Sequence, residues 1–403
     1  MIKESPELSG LSIPMSDGST RRVILTLFAD DSTLFLSRND SIEKVMEIKN
    51  TWCLASGAQF NDEKTIVIPV GPAAYREEVC FQHQINDTPE GKIDEKVTIA
   101  KDGEPTRFLG APIGNRLDHS QIWNQVTATI KKKLEWWEKK WPTMIGRKFI
   151  TEMSVMNKTQ FLTRAIGMPE KTEKCLSNMT WKFAWGSEAT PTISNRHLYQ
   201  DISNGGRGLT NLQARNEAIE LVKSRDTLLS GGERTLAAEA TMAVIFASLP
   251  KNKAKKVEGN ARSDYLMQTI YRGDKLMSKR MPEPIKRMLK TAHKHRINFN
   301  SIELTKTQKL NLPAFYSIGR DPNKKQTANL PSAKCIRKTH NIQKVGDLVN
   351  MRGAAEQNDH NSKAKNCTCT YCAEERGKGC KNPSTCIRTA ERLIKDLRED
   401  FDP

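Results

Sequence analysis

Apolar and polar positions fall into readable blocks from the first thirty residues onward. Val23-Ile24-Leu25-Thr26-Leu27-Phe28 is β-branched and apolar and predicts a strand. Ala29-Asp30-Asp31-Ser32 interrupts it with turn formers, and Thr33-Leu34-Phe35-Leu36 resumes the apolar run. Together they predict a tight β-hairpin with two carboxylates at its tip. Upstream, Ser16-Asp17-Gly18 reads as an earlier hairpin turn. Asp40-Ser41 can cap a helix from Ile42 to about Leu54 that carries Val45, Ile48 and Trp52 on one face. Ser56-Gly57-Ala58 ends that helix, and Thr65-Ile66-Val67-Ile68 is a further strand closed by Pro69 and Gly71. Hairpin, helix and strand make an α+β layer.

Residues 72–105 are polar and turn-rich, without clear periodicity. Phe108-Leu109-Gly110-Ala111-Pro112-Ile113-Gly114 is a short apolar element with turn formers inside it. From Ser120 the pattern is helical: Ile122, Val126, Ile130, Leu134 and Trp137 recur every three or four residues, and Pro142 ends the run. A second helix carries Phe149, Met153, Met156 and Phe161. Gly205-Gly206-Arg207-Gly208 reads as a flexible loop rather than a phosphate cradle, because no strand precedes it and no Lys-Ser/Thr follows. Thr210-Asn211-Leu212-Gln213 fits a capping box, before an apolar face of Leu212, Ala218, Ile219 and Val222. Residues 284–296 predict a basic amphipathic helix with Ile285, Met288, Leu289 and Ala292 inward. Residues 319–333 read as a linker.

All seven Trp precede residue 186, so the best-packed core is expected in the first half, with weaker packing beyond about residue 230. Hydrophobic residues are 37% and charged residues 28% of the chain, which fits a soluble, loop-rich protein. No apolar run is long enough to span a bilayer, and the polar N-terminus lacks a secretory apolar segment. The expected compartment is therefore intracellular and reducing, so the nine cysteines need a reading other than a disulfide framework.

Charge sharpens the picture. The formal net charge is +17; residues 1–250 balance at 31 Lys+Arg and 31 Asp+Glu, while residues 251–330 hold 19 against 6. Such concentration suits a polyanion-binding segment, and equally a solvated basic linker.

Two adjacent aspartates repel unless a cation neutralises them, and a divalent metal does so in two-metal phosphoryl transfer. Alone the pair is a weak signal; strands on both sides strengthen it. Leu27-Phe28-Ala29-Asp30-Asp31-Ser32-Thr33-Leu34-Phe35-Leu36 resembles motif C of non-LTR (LINE-type) retrotransposon reverse transcriptases. Trp52-Cys53-Leu54-Ala55-Ser56-Gly57-Ala58-Gln59-Phe60-Asn61, with Glu63-Lys64-Thr65 after it, resembles motif D, and Phe108 to Gly114 resembles motif E. Trp181-Lys182-Phe183-Ala184-Trp185 and residues 205–212 are similar to the downstream helical region of fungal elements.

The resemblance implies that Asp30 and Asp31 ligate Mg²⁺ at a two-metal site. It implies a proton-donor role for Lys64, against which stands a solvated strand-edge lysine. It makes Phe108, Leu109 and Gly110 a primer grip, and RNA template and DNA primer or target the partners. It also implies work at chromosomal DNA, hence a nuclear location, with residues 251–256 as a weak import signal.

The chain departs from the family at one point. Asp17 is the sole other aspartate before Asp30, and neither motif A nor motif B is found. The expectation is a truncated polymerase, inactive by itself. Its parts are a partial palm (1–115), a helical thumb or connection (116–250), a basic helical and linker region (251–333) and a Cys-rich segment (334–403). The alternative is a non-catalytic nucleic-acid-binding protein that uses residues 251–330 and a zinc-binding tail. A reading frame without selected function is a third.

Five cysteines, Cys367, Cys369, Cys372, Cys380 and Cys386, crowd the tail. Zn²⁺ takes four thiolate or imidazole ligands, and short Cys pairs supply two from one turn. Four of the five are therefore expected to hold one zinc, with Gly377 and Gly379 allowing a tight knuckle before Cys380. The competing reading is reactive thiols or an air-formed disulfide. No histidine falls inside the run, His360 lies just outside it, and Cys53, Cys80, Cys175 and Cys335 read as isolated residues.

Overall fold

A computed structural model describes residues 1–15, 19–186, 194–228, 235–249, 257–272, 281–295, 303–361, 364 and 366–403. The Ser16-Asp17-Gly18 turn and the basic run 251–256 lie outside these residues. The chain is mixed α/β, mostly helical, with four small two-stranded sheets among the described residues. It divides into two compact units, Met1–Ile13 with Thr20–Glu220, and Leu221–Pro403 with Pro14–Ser19. No described helix is long and apolar enough to cross a membrane.

In the first unit, β1 (Leu11–Pro14) pairs with β2 (Thr20–Val23). The predicted hairpin follows: β3 (Leu25–Phe28) runs antiparallel to β4 (Asp31–Leu34), with Phe28 opposite Asp31. α1 (Ile42–Ser56) is capped by Ser41, whose hydroxyl accepts from the Lys44 N–H, and it stops at left-handed Gly57. Asp40 does something else. Buried, it accepts the backbone N–H groups of Ser9, Gly10 and Ser37 at 2.5, 2.8 and 2.8 Å, pinning the N-terminal segment to the entrance of α1.

Residues 72–105 are more ordered than their polarity suggests. They contain α2 (Ala73–Gln82), and Val79, Ile85, Ile93 and Ile99 form a small core there. β5 (Ile66–Val67) runs parallel to β6 (Thr98–Ile99), a pairing between segments with few apolar residues each. β7 (Thr106–Phe108) and β8 (Ala111–Ile113) close a two-residue hairpin.

α3 (His119–Glu138) buries Ile130 and Leu134 as its spacing predicts, and also Trp123, whose indole N–H donates to the Gly167 carbonyl at 2.9 Å. α4 (Met144–Thr151) and α5 (Asn157–Ile166) form one helix through a π-turn at Glu152–Met156. The extra residue in that turn rotates the inward face. Ile150, Val155, Met156 and Ile166 are buried with Thr159 and Thr163, while Phe149, Met153 and Phe161 stay exposed. The two threonines can go inside because their hydroxyls donate to carbonyls one turn back. α6 (Glu170–Trp185) and α7 (Asn195–Tyr199) follow. The glycine cluster is tight rather than flexible: Gly206 is buried, and a Cβ there would lie 1.9 Å from the Gln200 carbonyl oxygen. α8 (Leu212–Leu228) is capped by Asn211, one residue later than the proposed box; the Thr210 N–H instead donates to Glu152. Its inward residues include Leu212 and Asn216, and Ala218 is exposed.

The second unit holds the largest buried apolar cluster, contrary to the expectation from tryptophan alone. Aliphatic and Met side chains of α9 (Leu236–Ser248), α10 (Arg262–Arg272) and α11 (Glu283–Lys294) build it, with Tyr316 and four buried cysteines. α11 matches the predicted basic helix: Met288, Leu289 and Ala292 are buried, Lys290, His293 and Lys294 exposed. After α12 (Lys306–Leu310), the expected linker 319–333 is anchored at Gly319, Arg320, Thr327, Ala328 and Ala333, which are buried, while 322–325 and 329–331 are exposed. Arg320 and Asp396 are both buried and lie 3.5 Å apart, and Thr327 donates to Asp396 at 2.8 Å. Buried charges tolerate this only when paired. α13 (Pro331–Lys338), α14 (Val345–Gln357), α15 (Thr370–Gly377) and α16 (Pro383–Lys395) complete the unit.

Candidate metal centres

The five tail cysteines do not share one site. Among the described residues, two groups bring four ligand atoms within 4.8 Å of one another: Cys335, His340, Cys380 and Cys386, and His360, Cys367, Cys369 and Cys372. In sequence the second lies inside the first, so we call them the inner and outer centres.

The outer centre starts from the end of α13. The His340 N–H reaches back to the Cys335 carbonyl, which folds the two residues together. Cys380 arrives through a reversal after α15, where Gly379 adopts φ +96° and the Cys380 N–H donates to the Glu375 carbonyl at 3.0 Å. Cys386 projects from the first turns of α16. Cys380 Sγ lies 3.7 Å from both Cys335 Sγ and Cys386 Sγ.

The inner centre is built on the end of α14, where the His360 N–H donates to the Ala355 carbonyl. His360 Nδ1 lies 3.3 Å from Cys372 Sγ and 3.7 Å from Cys369 Sγ. Arg376 donates to the Cys367 carbonyl at 2.6 Å and closes the turn onto α15.

These separations fit a tetrahedral ion. Bonds of about 2.3 Å to sulfur and 2.0 Å to nitrogen put tetrahedral edges at about 3.8 Å for S···S and about 3.5 Å for S···N. Disulfides would need about 2.05 Å, and all nine cysteines are free. The imidazoles fit as well. His340 Nδ1 lies 2.6 Å from Glu375 Oε2 but off the ring's N–H axis, so neither buried ring nitrogen has a hydrogen-bond partner and one is available to a metal. A carboxylate behind a ligating histidine is the usual way its ring is oriented.

Thiol acidity differs from sulfur to sulfur. Backbone N–H groups of Cys369 and Asn361 pull the Cys367 thiol down to about 6. Burial, then the neighbouring sulfurs, pushes Cys372 up to about 12 and raises Cys386, while burial raises Cys380 against the opposing Asn382 backbone and Cys386 thiol. The raised thiols must give up their protons for a metal to bind, so binding there releases protons. By the convergence of their ligand atoms, the Cys/His groups can hold a metal such as zinc.

The expected set of four tail cysteines falls instead into two four-ligand groups, and Cys335, His340 and His360 are ligand candidates that the local cysteine run did not include. A readable signal existed in C-x₄-H paired with the distant C-x₅-C. Cys53 and Cys80 are half-buried and Cys175 exposed, outside both groups.

The proposed polymerase residues look different. Asp30 and Asp31 are exposed at the hairpin tip, next to Ala29 at φ +52°, and belong to neither converging group. Leu27 and Phe28 are each 66% exposed. Lys64 is exposed in a short 3₁₀ turn after Asn61, with no ion pair among the described residues. Leu109 and Gly110 form the β7–β8 turn at φ +46° and +83°, which a two-residue hairpin favours. Phe108 pairs with Ala111, and the turn lies against Phe161. Nothing among these residues supports a Mg²⁺ site. The chain matches no model of a known protein family and no curated protein.

Proposed function

We propose that the protein is a reverse-transcriptase-derived, non-catalytic nucleic-acid-binding protein whose C-terminal unit is folded around two zinc ions. The observation that carries this reading is the pair of four-ligand centres framed by helices with basic outer positions. On α13, Lys334 and Lys338 are exposed; on α16, Arg388, Arg392 and Lys395 are exposed at helical spacing. Arg388 and Arg392 form no ion pair with a described acid, so their charge is available to phosphates. Zinc would tie the ends of α13 and α14 to α15 and α16 and so fix the spacing of these basic positions. The ancestry rests on the motif resemblance, and RNA template and DNA target are the partners it suggests.

The test is binding of RNA and DNA by the full chain at several salt concentrations. Arg388→Glu with Arg392→Glu should weaken binding and lower the salt slope by about 1–2. Asp30→Asn with Asp31→Asn should leave it unchanged. Unaltered binding by the arginine variant would refute the reading.

A second reading, retained polymerisation, draws on the acidic tip of the β3–β4 hairpin. Primer extension with Mg²⁺ that Asp30→Asn abolishes would establish it and displace the non-catalytic reading.

A further inference from the structure

Glu375 contacts the outer centre from a helix that also carries an inner ligand. It sits on α15, one helical turn after the inner ligand Cys372. Its backbone carbonyl accepts the N–H of the outer ligand Cys380, and its side chain lies 2.6 Å from outer ligand His340. It is 5% exposed, and its other carboxylate oxygen accepts from Lys378 Nζ at 2.8 Å. A carboxylate this buried is costly unless its partners are held in place.

The order of ligands adds a second link. Cys335 and His340 can meet Cys380 and Cys386 only by closing the loop formed by residues 341–379. All four inner ligands lie within that loop. Metal in the inner centre ties residues 360–372 together and fixes the start of α15. That shortens the effective loop and so lowers the entropy of closing it. It also sets Glu375 where His340 needs it.

We propose that Glu375 is a positioning residue coupling the two centres, so that metal in the inner centre tightens metal binding in the outer one. This rests on the two-zinc reading. Coupling between binding sites is reciprocal, so outer-site metal must tighten the inner site by the same factor.

The test uses the full chain, reduced and stripped of metal, titrated with Co²⁺ against a competing chelator and followed by thiolate-to-metal absorption. The wild type should take up two equivalents along a cooperative curve. Cys369→Ser with Cys372→Ser should leave one equivalent, bound roughly 10- to 100-fold more weakly than the outer site of the intact protein. Glu375→Gln should still bind two equivalents, with the outer site weakened by a similar factor. In a Cys335→Ser, Cys386→Ser background, Glu375→Gln should leave inner-site affinity unchanged, a split that general loss of structure would not give. Two equivalents loading independently in the wild type, or a Glu375→Gln curve that overlays it, would overturn the coupling while sparing the metal reading. Fewer than two equivalents in the wild type would sink the two-zinc reading itself.

Discussion

Arg147 grips Glu138 with both ends of its guanidinium, Nη1 at 2.6 Å from Oε2 and Nη2 at 2.9 Å from Oε1. The same side chain donates to the Phe183 carbonyl at 2.7 Å and stacks over the Phe183 ring. One residue thereby joins α3, α4 and α6, and a lysine could not reproduce the planar fork. Arg147→Lys should cost the first unit about 2 kcal/mol, since Glu138 keeps some solvent and the loss is smaller than for a fully buried pair. Because every Trp precedes residue 186, urea unfolding followed by Trp fluorescence reads this unit selectively. A midpoint equal to wild type would contradict the assignment.

Asp40 makes a pH-dependent clasp. Burial disfavours its charge, but the N–H groups of Ser37, Ser9 and Gly10 outweigh that and hold its carboxyl below the usual value of 3.8. A depressed carboxylate pKa stabilises the fold above the unfolded-state value, and that stability is lost as pH falls through the folded one. Asp40→Asn should therefore cost about 1–3 kcal/mol at pH 7, with the gap to wild type closing below about pH 4. Stability curves that stay parallel through the acid range would count against it.

Gly319 has no room for a methyl group. A Cβ there would lie 2.5–2.7 Å from the Phe401 side chain, which is buried. Gly319→Ala should destabilise the second unit by about 1–3 kcal/mol through overpacking. Thermal unfolding followed by far-UV circular dichroism measures this, and the Trp signal should be unmoved.

Metal content separates ligands from bystanders. Purified without chelator, the protein should carry about two zinc equivalents. Cys335→Ser or His360→Ala should each remove about one, whereas Cys53→Ser and Cys175→Ser should remove none. Mass spectrometry under native conditions gives the count directly; full occupancy in Cys335→Ser would rule out the outer centre as drawn.

Local signals were readable in the sequence, and those that depend on distant partners were not. The β3–β4 hairpin, the inward Ile130 and Leu134, and the apolar face of α11 all follow from short-range periodicity. The face of α4–α5 was hidden because a π-turn shifts the register without any Gly or Pro to announce it. Residues 319–333 resembled a linker because their burial depends on Asp396 and Phe401, more than sixty positions away. The cysteine run advertised a metal but not the partition, since Cys335 and His340 lie outside it and join through a reversal at Gly379.

The nesting of the centres also orders events during synthesis. A growing chain emerges N-terminal end first, so Cys335 and His340 appear long before Cys380 and Cys386. The inner set is complete once Cys372 is out, while the outer pair must wait with an open thiol. A nascent chain stalled in that interval would leave the Cys335 thiol open to oxidants and stray metals.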